Sequence, residues 1–187
     1  MPEPAFRRIA LSAHASTPSP AIQRLEVLVG VPGPGALELR YLLQGDLSLI
    51  RLVPQESLCP GRADNLWQHT CFEAFIQPVG SQSYCELNFS VAKQWAAYRF
   101  DAYRAGMRPL ELARPPEISV THTSQQLELH ATVALASEYR PALLGLTAVV
   151  EHDSGRLCYW SARHSPGKPD FHHRDGFVLE IQLPTNS

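Results

Sequence analysis

The sequence lacks any apolar run long enough to cross a membrane, and its first residues lack the apolar stretch of a secretory signal. We therefore expect a cytoplasmic protein. Basic residues are not in excess, since 16 Lys and Arg stand against 18 Asp and Glu, for a net charge of −2. Nucleic acids and anionic membranes attract basic surfaces, so neither is predicted as a partner.

Cysteines are few, and their spacing is not that of a metal site. The four are Cys59, Cys71, Cys85 and Cys158. None belongs to a C-x₂-C pair of the kind that zinc sites use, and four cysteines in 187 residues are sparse for a disulfide scaffold. We expect four reduced thiols.

Helical patterns are scarce as well. The stretch 102–116 could form a short helix, but its prolines favour an irregular excursion at least as strongly. Elsewhere, short alternating segments separated by Gly, Pro, Asp or Ser turns predict about eleven strands, including one at 47–53. This pattern predicts an all-β chain, with residues 1–187 forming one antiparallel β-sandwich domain of the jelly-roll or immunoglobulin-like type.

Residues 66–101 predict three consecutive antiparallel strands with turns at 78–81 and 91–94. The first turn would place Glu73 opposite Glu86, and the second would place Arg99 beside Glu86. Because side chains alternate between the faces of a strand, one face becomes apolar and the other polar and aromatic. The polar face is predicted to carry Trp67, His69, Cys71, Glu73, Glu86, Asn88, Trp95 and Arg99.

This polar face has the composition of a site for a small ligand, above all a saccharide. Aromatic rings next to carboxylates and amides suit a pyranose ring, which has apolar C–H faces and polar hydroxyl edges. Three alternatives stay open: a structural Arg–Glu network on a solvated face, tryptophans buried by a covering segment, and a catalytic carboxylate pair with the spacing of a retaining glycosidase.

Other chemistry is only weakly indicated. His164, His172, His173, Asp170 and Asp175 resemble a metal set, but the adjacent His172 and His173 point to opposite sides of an extended chain, and no metal motif is present. No cofactor is predicted, although a calcium ion at Asp170 or Asp46 stays open. Cys71 has His69 two residues away, but no oxyanion-hole feature accompanies it.

Several motifs resemble those of a known family. LWQHTCFEAFI, followed by YCELNFS and WAAYRF, is similar to the core of DOMON-like proteins related to family 9 carbohydrate-binding modules. The later YWSARHSPGKPDFHH is similar to the Trp-containing strand and PDFH loop of bacterial DOMON-like proteins. The resemblance covers about residues 65–175 and implies a β-sandwich.

The resemblance also implies roles for individual residues. In the sugar-binding members two tryptophans sandwich a sugar at a chain end, which corresponds to Trp67 and Trp160 here. The acid and base that hydrogen-bond its hydroxyls correspond to Glu73 and Arg99. Haem-binding relatives use Met and His ligands, but Met107, the only internal methionine, lies in the irregular stretch, so haem is not predicted.

Together these observations predict a non-catalytic module that binds a small ligand, above all a saccharide. The predicted ligand-binding residues are Trp67, Glu73, Glu86, Asn88, Trp95, Arg99 and Trp160. A metal- or carboxylate-dependent enzyme or accessory factor is the first alternative. A protein-interaction module that takes no small ligand is the second, and it would require an exposed apolar patch instead of a pocket.

Overall fold

Extended strand dominates the chain. The computed structural model describes residues 6–52, 59–139 and 141–182, and within these ranges there is no α-helix, only short 3₁₀ turns. The thirteen strands in the described ranges are β1 (Arg7–Ala13), β2 (Ile22–Gly33), β3 (Ala36–Gly45), β4 (Gly61–Arg62), β5 (Cys71–Pro78), β6 (Tyr84–Ser90), β7 (Gln94–Phe100), β8 (Arg108–Pro109), β9 (Glu117–His122), β10 (Gln126–Ala134), β11 (Ala142–Glu151), β12 (Leu157–Ser161) and β13 (Phe177–Ile181).

The strands form one curled, mixed sheet. Its order is β4-β7-β6-β5-β11-β12-β1-β2-β3-β10-β9, with β13 also on β11 and β8 on β7. Strand β1 pairs with β2 along its first five residues and with β12 at Ser12 and Ala13, so it joins two halves of the sheet. We call β1–β3 with β9 and β10 the first half, and the other strands the second half. Pairing is antiparallel except between β4 and β7, which are parallel.

The two halves enclose the main hydrophobic core. Tyr41 of β3 is fully buried, its ring lies 5.1 Å from the ring of Phe72 of β5, and its hydroxyl donates to the backbone oxygen of Glu73 at 2.7 Å. Alternation in each strand supplies the remaining core side chains, as the sequence predicts for β3 and β5. They include Leu37, Leu39, Leu43, Ala74 and Ile76.

The first hairpin of the central meander forms as predicted, but its register is shifted by two residues. Glu73 lies opposite Asn88, and Glu86 lies opposite Phe75. The turn comes later than predicted because Pro78 remains in β5, where it pairs with Ala142. A shift of two residues preserves the face of every side chain, so the direct Glu73–Glu86 pairing is wrong while their shared face is confirmed.

The second hairpin is shifted by one residue, which reverses β7. Its loop contains three residues, 91–93, and Lys93 at the end has the left-handed φ of 60° that such loops use. Glu86 therefore pairs with Tyr98 instead of Arg99, and Trp95 pairs with Phe89. The prediction that Trp95 and Arg99 share the face of Glu73 is wrong, and Tyr98 and Phe100 occupy that face instead.

Smaller differences follow from turn chemistry. The described part of the predicted 47–53 strand is a 3₁₀ turn at Leu47–Leu49, followed by a single bridge from Ile50 to His152. Asp46 fixes this turn by accepting from the Ser48 backbone N–H at 3.0 Å. Residue 53 lies outside the described residues. The stretch 102–116 is irregular apart from β8, and all four cysteines are free thiols, as predicted.

Candidate functional site

The candidate site lies on the side of the second half that faces away from the main core. Loops and short strands around residues 61–68, 101–109 and 165–177 cover this side of the sheet. A second hydrophobic cluster fills the space beneath them, including Phe75, Tyr84 and Phe177 of the sheet and Leu66 of the covering segment. The covering segments leave an opening that reaches Glu73 and Glu86.

A pocket of about 690 Å³ occupies this opening. Its walls are largely aromatic and apolar, and its floor is the polar side of β5 and β6. The aromatic lining residues are Trp67, Phe75, Phe100, Tyr159 and Phe171. The ionisable lining residues are Glu73, Glu86, Arg104, Lys168 and His172. Such a volume and lining are typical of a small-molecule site.

Two buried carboxyl groups form the acidic floor of the pocket, Glu73 and Glu86, which are 2% and 5% exposed. Thr147 Oγ1 donates to Glu73 Oε2 at 3.2 Å, and Asn88 Nδ2 donates to Glu86 Oε1 at 2.8 Å. Glu73 Oε1 is buried and accepts no hydrogen bond from any described residue. A buried acceptor without a donor is costly, which makes it a place where a ligand can supply one.

The acidic floor resists carrying two negative charges. Burial raises the pKa of Glu73 well above its usual range, and the charge of Glu86 raises it further, while hydrogen bonds from Thr147 and Cys71 lower it. Burial also raises the pKa of Glu86, against the lowering effects of Asn88 and Arg104. Removal from water and like-charge repulsion therefore act together to favour the protonated form.

One wall of the pocket is held by Asp170. Its carboxylate accepts from the Tyr103 hydroxyl at 2.6 Å, from Arg104 Nη2 at 2.8 Å and from the His172 backbone N–H at 3.1 Å. The first two bonds tie the 101–107 segment to the 168–172 segment, and the third lies within 168–172. We call this arrangement the Asp170 clasp. Burial alone would raise the pKa of Asp170, but the donors from Tyr103 and Arg104 lower it on balance.

His172 separates the pocket from a second cavity of about 600 Å³ that borders Tyr103 and Phe177. Its Nδ1 lies 2.7 Å from the Tyr84 hydroxyl, and its Nε2 lies 3.8 Å from Glu86 Oε2. Burial, with the nearby Arg104 charge, lowers the pKa of His172 to about 4. The imidazole is thus neutral at neutral pH and provides no positive charge to the acidic floor.

Three aromatic side chains at the pocket, Trp67, Tyr159 and Phe171, are only half-buried. Trp67 packs edge-on against Tyr98, with ring centroids 5.7 Å apart, and Tyr159 packs edge-on against Phe171 at 5.8 Å. Sequence reasoning missed Tyr159 and Phe171. Strand alternation shows that Tyr159 and Trp160 point to opposite faces, but only the pairing of β12 with β11 shows which of them faces the pocket.

The predicted ligand-binding residues separate into two groups. Trp67, Glu73 and Glu86 line the pocket, and the fully buried Asn88 supports Glu86 from behind. The other three predicted residues do not line it. Trp95 and Trp160 lie in the main core, and Arg99 pairs with Glu138 at 2.7 Å near the sheet edge.

The other residues that the sequence suggested for catalysis or metal binding have structural contacts instead. Burial raises the pKa of the Cys71 thiol well above its usual value, and His69 bonds Glu151 at 2.7 Å instead of Cys71. Among residues 6–52, 59–139 and 141–182, no three His, Cys, Asp or Glu side chains cluster in a way that could hold a metal ion. Asp46 caps a turn, and Asp170 forms the clasp.

The described part of the chain has no helix of the length and apolarity that a membrane crossing requires.

Comparison with known proteins identifies similar folds. No protein-family profile and no curated protein sequence matches the chain. A "putative carbohydrate-binding protein" of Bacteroides uniformis ATCC 8492 is similar, with a TM-score of 0.67 and 13% identity over 94% of this chain and 84% of that one. A family 9 carbohydrate-binding module of Caldicellulosiruptor kristjanssonii, solved with cellotriose, has a TM-score of 0.55 and 12% identity over 98% and 84% of the two chains. The same kind of module solved with glucose has a TM-score of 0.57 and 11% identity over 98% and 86%.

Proposed function

We propose that the pocket binds a small saccharide and does not convert it. The observation that carries this proposal is the combination of aromatic walls with a buried acidic floor. Trp67 and Tyr159 offer apolar ring surface to the C–H faces of a sugar, while Glu73 and Glu86 offer hydrogen-bond acceptors to its hydroxyls. A pocket of about 690 Å³ has room for one or two sugar rings.

The fold comparison supports the proposal independently. The similar modules of C. kristjanssonii were solved with cellotriose and with glucose. A chain of this fold that places aromatic side chains and carboxyl groups in one pocket is therefore a strong candidate for the same class of ligand. We also propose that the two facing halves of the sheet are those of a DOMON-like β-sandwich, which the packing of Tyr41 against Phe72 supports.

Tryptophan fluorescence with a saccharide panel tests the proposal. The panel contains glucose, cellobiose, cellotriose, xylose, galactose and mannose. We expect at least one of them to change the emission of Trp67, since this is the tryptophan at the pocket, and to give heat in titration calorimetry. Trp67→Ala and Tyr159→Ala should each weaken binding about tenfold or more, because each removes a ring surface worth about 1–3 kcal/mol.

The matched control is Trp160→Phe. Trp160 lies in the main core at 6% exposure, so this variant removes a tryptophan without altering the pocket. It should keep the affinity of the native chain. Absence of binding across the whole panel, with the native chain shown to be folded by circular dichroism, would refute the proposal.

A second candidate is glycoside hydrolysis, which the two carboxyls in one pocket favour. Burial raises the pKa of Glu73 and Glu86, and a raised pKa is what a general acid requires. Chromogenic aryl glycosides distinguish the two functions. Turnover that disappears in both Glu73→Gln and Glu86→Gln would establish the enzyme, whereas binding without turnover would establish the binding module.

A further inference from the structure

The acidic floor of the pocket contains an acceptor that the protein leaves empty. Glu73 is 2% exposed, and its Oε1 receives no hydrogen bond within the described ranges. Its other oxygen accepts the neutral hydroxyl of Thr147 at 3.2 Å, and the neutral thiol of Cys71 is a weak donor to the same carboxyl. A carboxylate accepts about four hydrogen bonds in full, so Glu73, which lines the pocket, leaves much of its acceptor capacity unused.

No arginine or lysine of the described ranges forms an ion pair with Glu73 or Glu86, although the charge of Arg104 lowers the pKa of Glu86. Arg104 directs its guanidinium to Asp170, at 2.8 Å, and Lys168 lies exposed at the pocket mouth. His172 is the described cationic candidate nearest to Glu86, with 3.8 Å between Nε2 and Oε2, and it is buried among aromatic rings. The other carboxyl partners are neutral: the Asn88 amide, the Thr147 hydroxyl and the Cys71 thiol.

Elsewhere the same chain pairs its buried carboxylates with arginine. Glu26 receives Arg8 and Arg24 at 2.7 Å each, and Glu38 receives Arg40 at 2.8 Å. Glu73 and Glu86 are the exceptions among these buried acids, and they are the two that line the pocket. A missing cation at this position, inside aromatic walls, matches a cationic ligand.

We propose that the preferred saccharide carries a protonated amine, and that this ammonium binds between Glu73 and Glu86. The inference rests on the proposed saccharide binding and specifies the ligand class. An ammonium has three donors, enough for the empty Glu73 Oε1 and for an oxygen of Glu86. Trp67, Tyr159 and the neighbouring rings would contact the sugar and add cation–π attraction to the charged group.

Titration calorimetry with three monosaccharides tests this inference. Glucosamine carries the ammonium, glucose has a hydroxyl in its place, and N-acetylglucosamine has a neutral amide. At about pH 6, where an aliphatic amine is protonated, we expect glucosamine to bind about tenfold or more tightly than glucose. We expect a ratio of this size because hydrogen bonds from an ammonium to carboxylates in a desolvated site are stronger than those from a neutral hydroxyl. The preference should fall as pH rises and the amine loses its proton.

Glu73→Gln should weaken glucosamine binding about tenfold or more and glucose binding less, so that the preference disappears, since the amide keeps the shape and one acceptor but not the charge. Glu86→Gln should reduce the preference in the same direction. Glu26→Gln is the control: Glu26 is equally buried but lies in the first half of the sheet with its own arginines. It should leave the preference unchanged, and thermal melts check that all three variants fold.

The outcomes separate the two proposals. Equal affinity for glucose and glucosamine would overturn the amine inference and leave saccharide binding standing. Glucosamine binding that Trp67→Ala and Tyr159→Ala do not weaken would place the amine elsewhere and overturn the inference as well. No binding of any saccharide, glucosamine included, would refute both. A preference for glucosamine that Glu73→Gln removes supports both.

Discussion

At the scale of single residues, the empty acceptor of Glu73 predicts a cost in stability. Burial raises the pKa of Glu73, so the folded chain holds this proton more tightly than the unfolded chain does. The resulting stabilisation of the folded state is fully present below the pKa of an unfolded Glu and is lost as pH rises through the folded pKa. We expect Glu73→Gln, which cannot ionise, to match the native chain near pH 4 and to exceed it by about 1–3 kcal/mol at pH 8. Urea unfolding across this pH range measures the difference.

Glu26→Gln provides the control with the opposite sign. Glu26 is also buried, but Arg8 and Arg24 each bond it at 2.7 Å, so the amide leaves two arginines without their carboxylate. This variant should lose stability at pH 8. If Glu73→Gln lost stability at pH 8 as well, Glu73 would be a structural carboxylate and not one kept free for a ligand. A stabilised Glu73→Gln that loses ligand binding would show the usual exchange of stability for function.

At the scale of elements, the Asp170 clasp holds two irregular segments at the pocket. We expect Asp170→Asn to weaken saccharide binding several-fold and to speed amide exchange in 101–107 and 168–173. Global stability should change by less than about 1 kcal/mol, because Tyr103 and Arg104 are largely exposed and their bonds are screened by solvent. Since the pKa of Asp170 is lowered, the native clasp is complete above the pKa of an unfolded Asp and weakens as pH falls through the folded value.

Asp153→Asn is the matched control for the clasp. Asp153 is an exposed aspartate in the turn between β11 and β12, where its side chain accepts the Ser154 backbone N–H at 2.7 Å. It should alter neither affinity nor exchange in 101–107. Unchanged exchange in both clasp segments of Asp170→Asn would contradict the clasp.

Elements were predictable from the sequence where alternation is strong, and their registers were not. The faces of β3, β5 and β6 follow directly from their period-2 patterns. The face of β7 depends on whether its turn has three or four residues. The left-handed position that ends the turn is occupied by Lys93, and without a glycine there the sequence does not indicate the turn length. That one-residue difference moved Trp95 and Arg99 out of the predicted site.

At the scale of the whole molecule, the all-β class was predictable, while the pocket depended on long-range pairing. Strand β12 comes late in the chain but lies between β11 and β1, which brings Tyr159 to the same pocket as Glu73 of β5. The pocket walls come from irregular segments that carry no periodic signal. Trp67, Glu73 and Glu86 were found from the sequence because they are local to one meander, whereas Tyr159 and Phe171 were not.

The contact between the two halves of the sheet yields a prediction for the molecule as a whole. Tyr41 of β3 is fully buried, and its hydroxyl donates to the Glu73 backbone oxygen of β5 at 2.7 Å. Tyr41→Phe keeps the ring packing on Phe72 but removes this donor, so the free energy of unfolding should fall by about 1–2 kcal/mol. Tyr159→Phe, whose hydroxyl has no hydrogen-bond partner in the described ranges, should change it by less than about 0.5 kcal/mol. Urea titration followed by both fluorescence and circular dichroism measures these values. A single coincident transition in Tyr41→Phe would show that the two halves still unfold together. An unchanged denaturation midpoint would contradict the prediction, because it would show that the Tyr41–Glu73 hydrogen bond between the halves does not stabilise the fold.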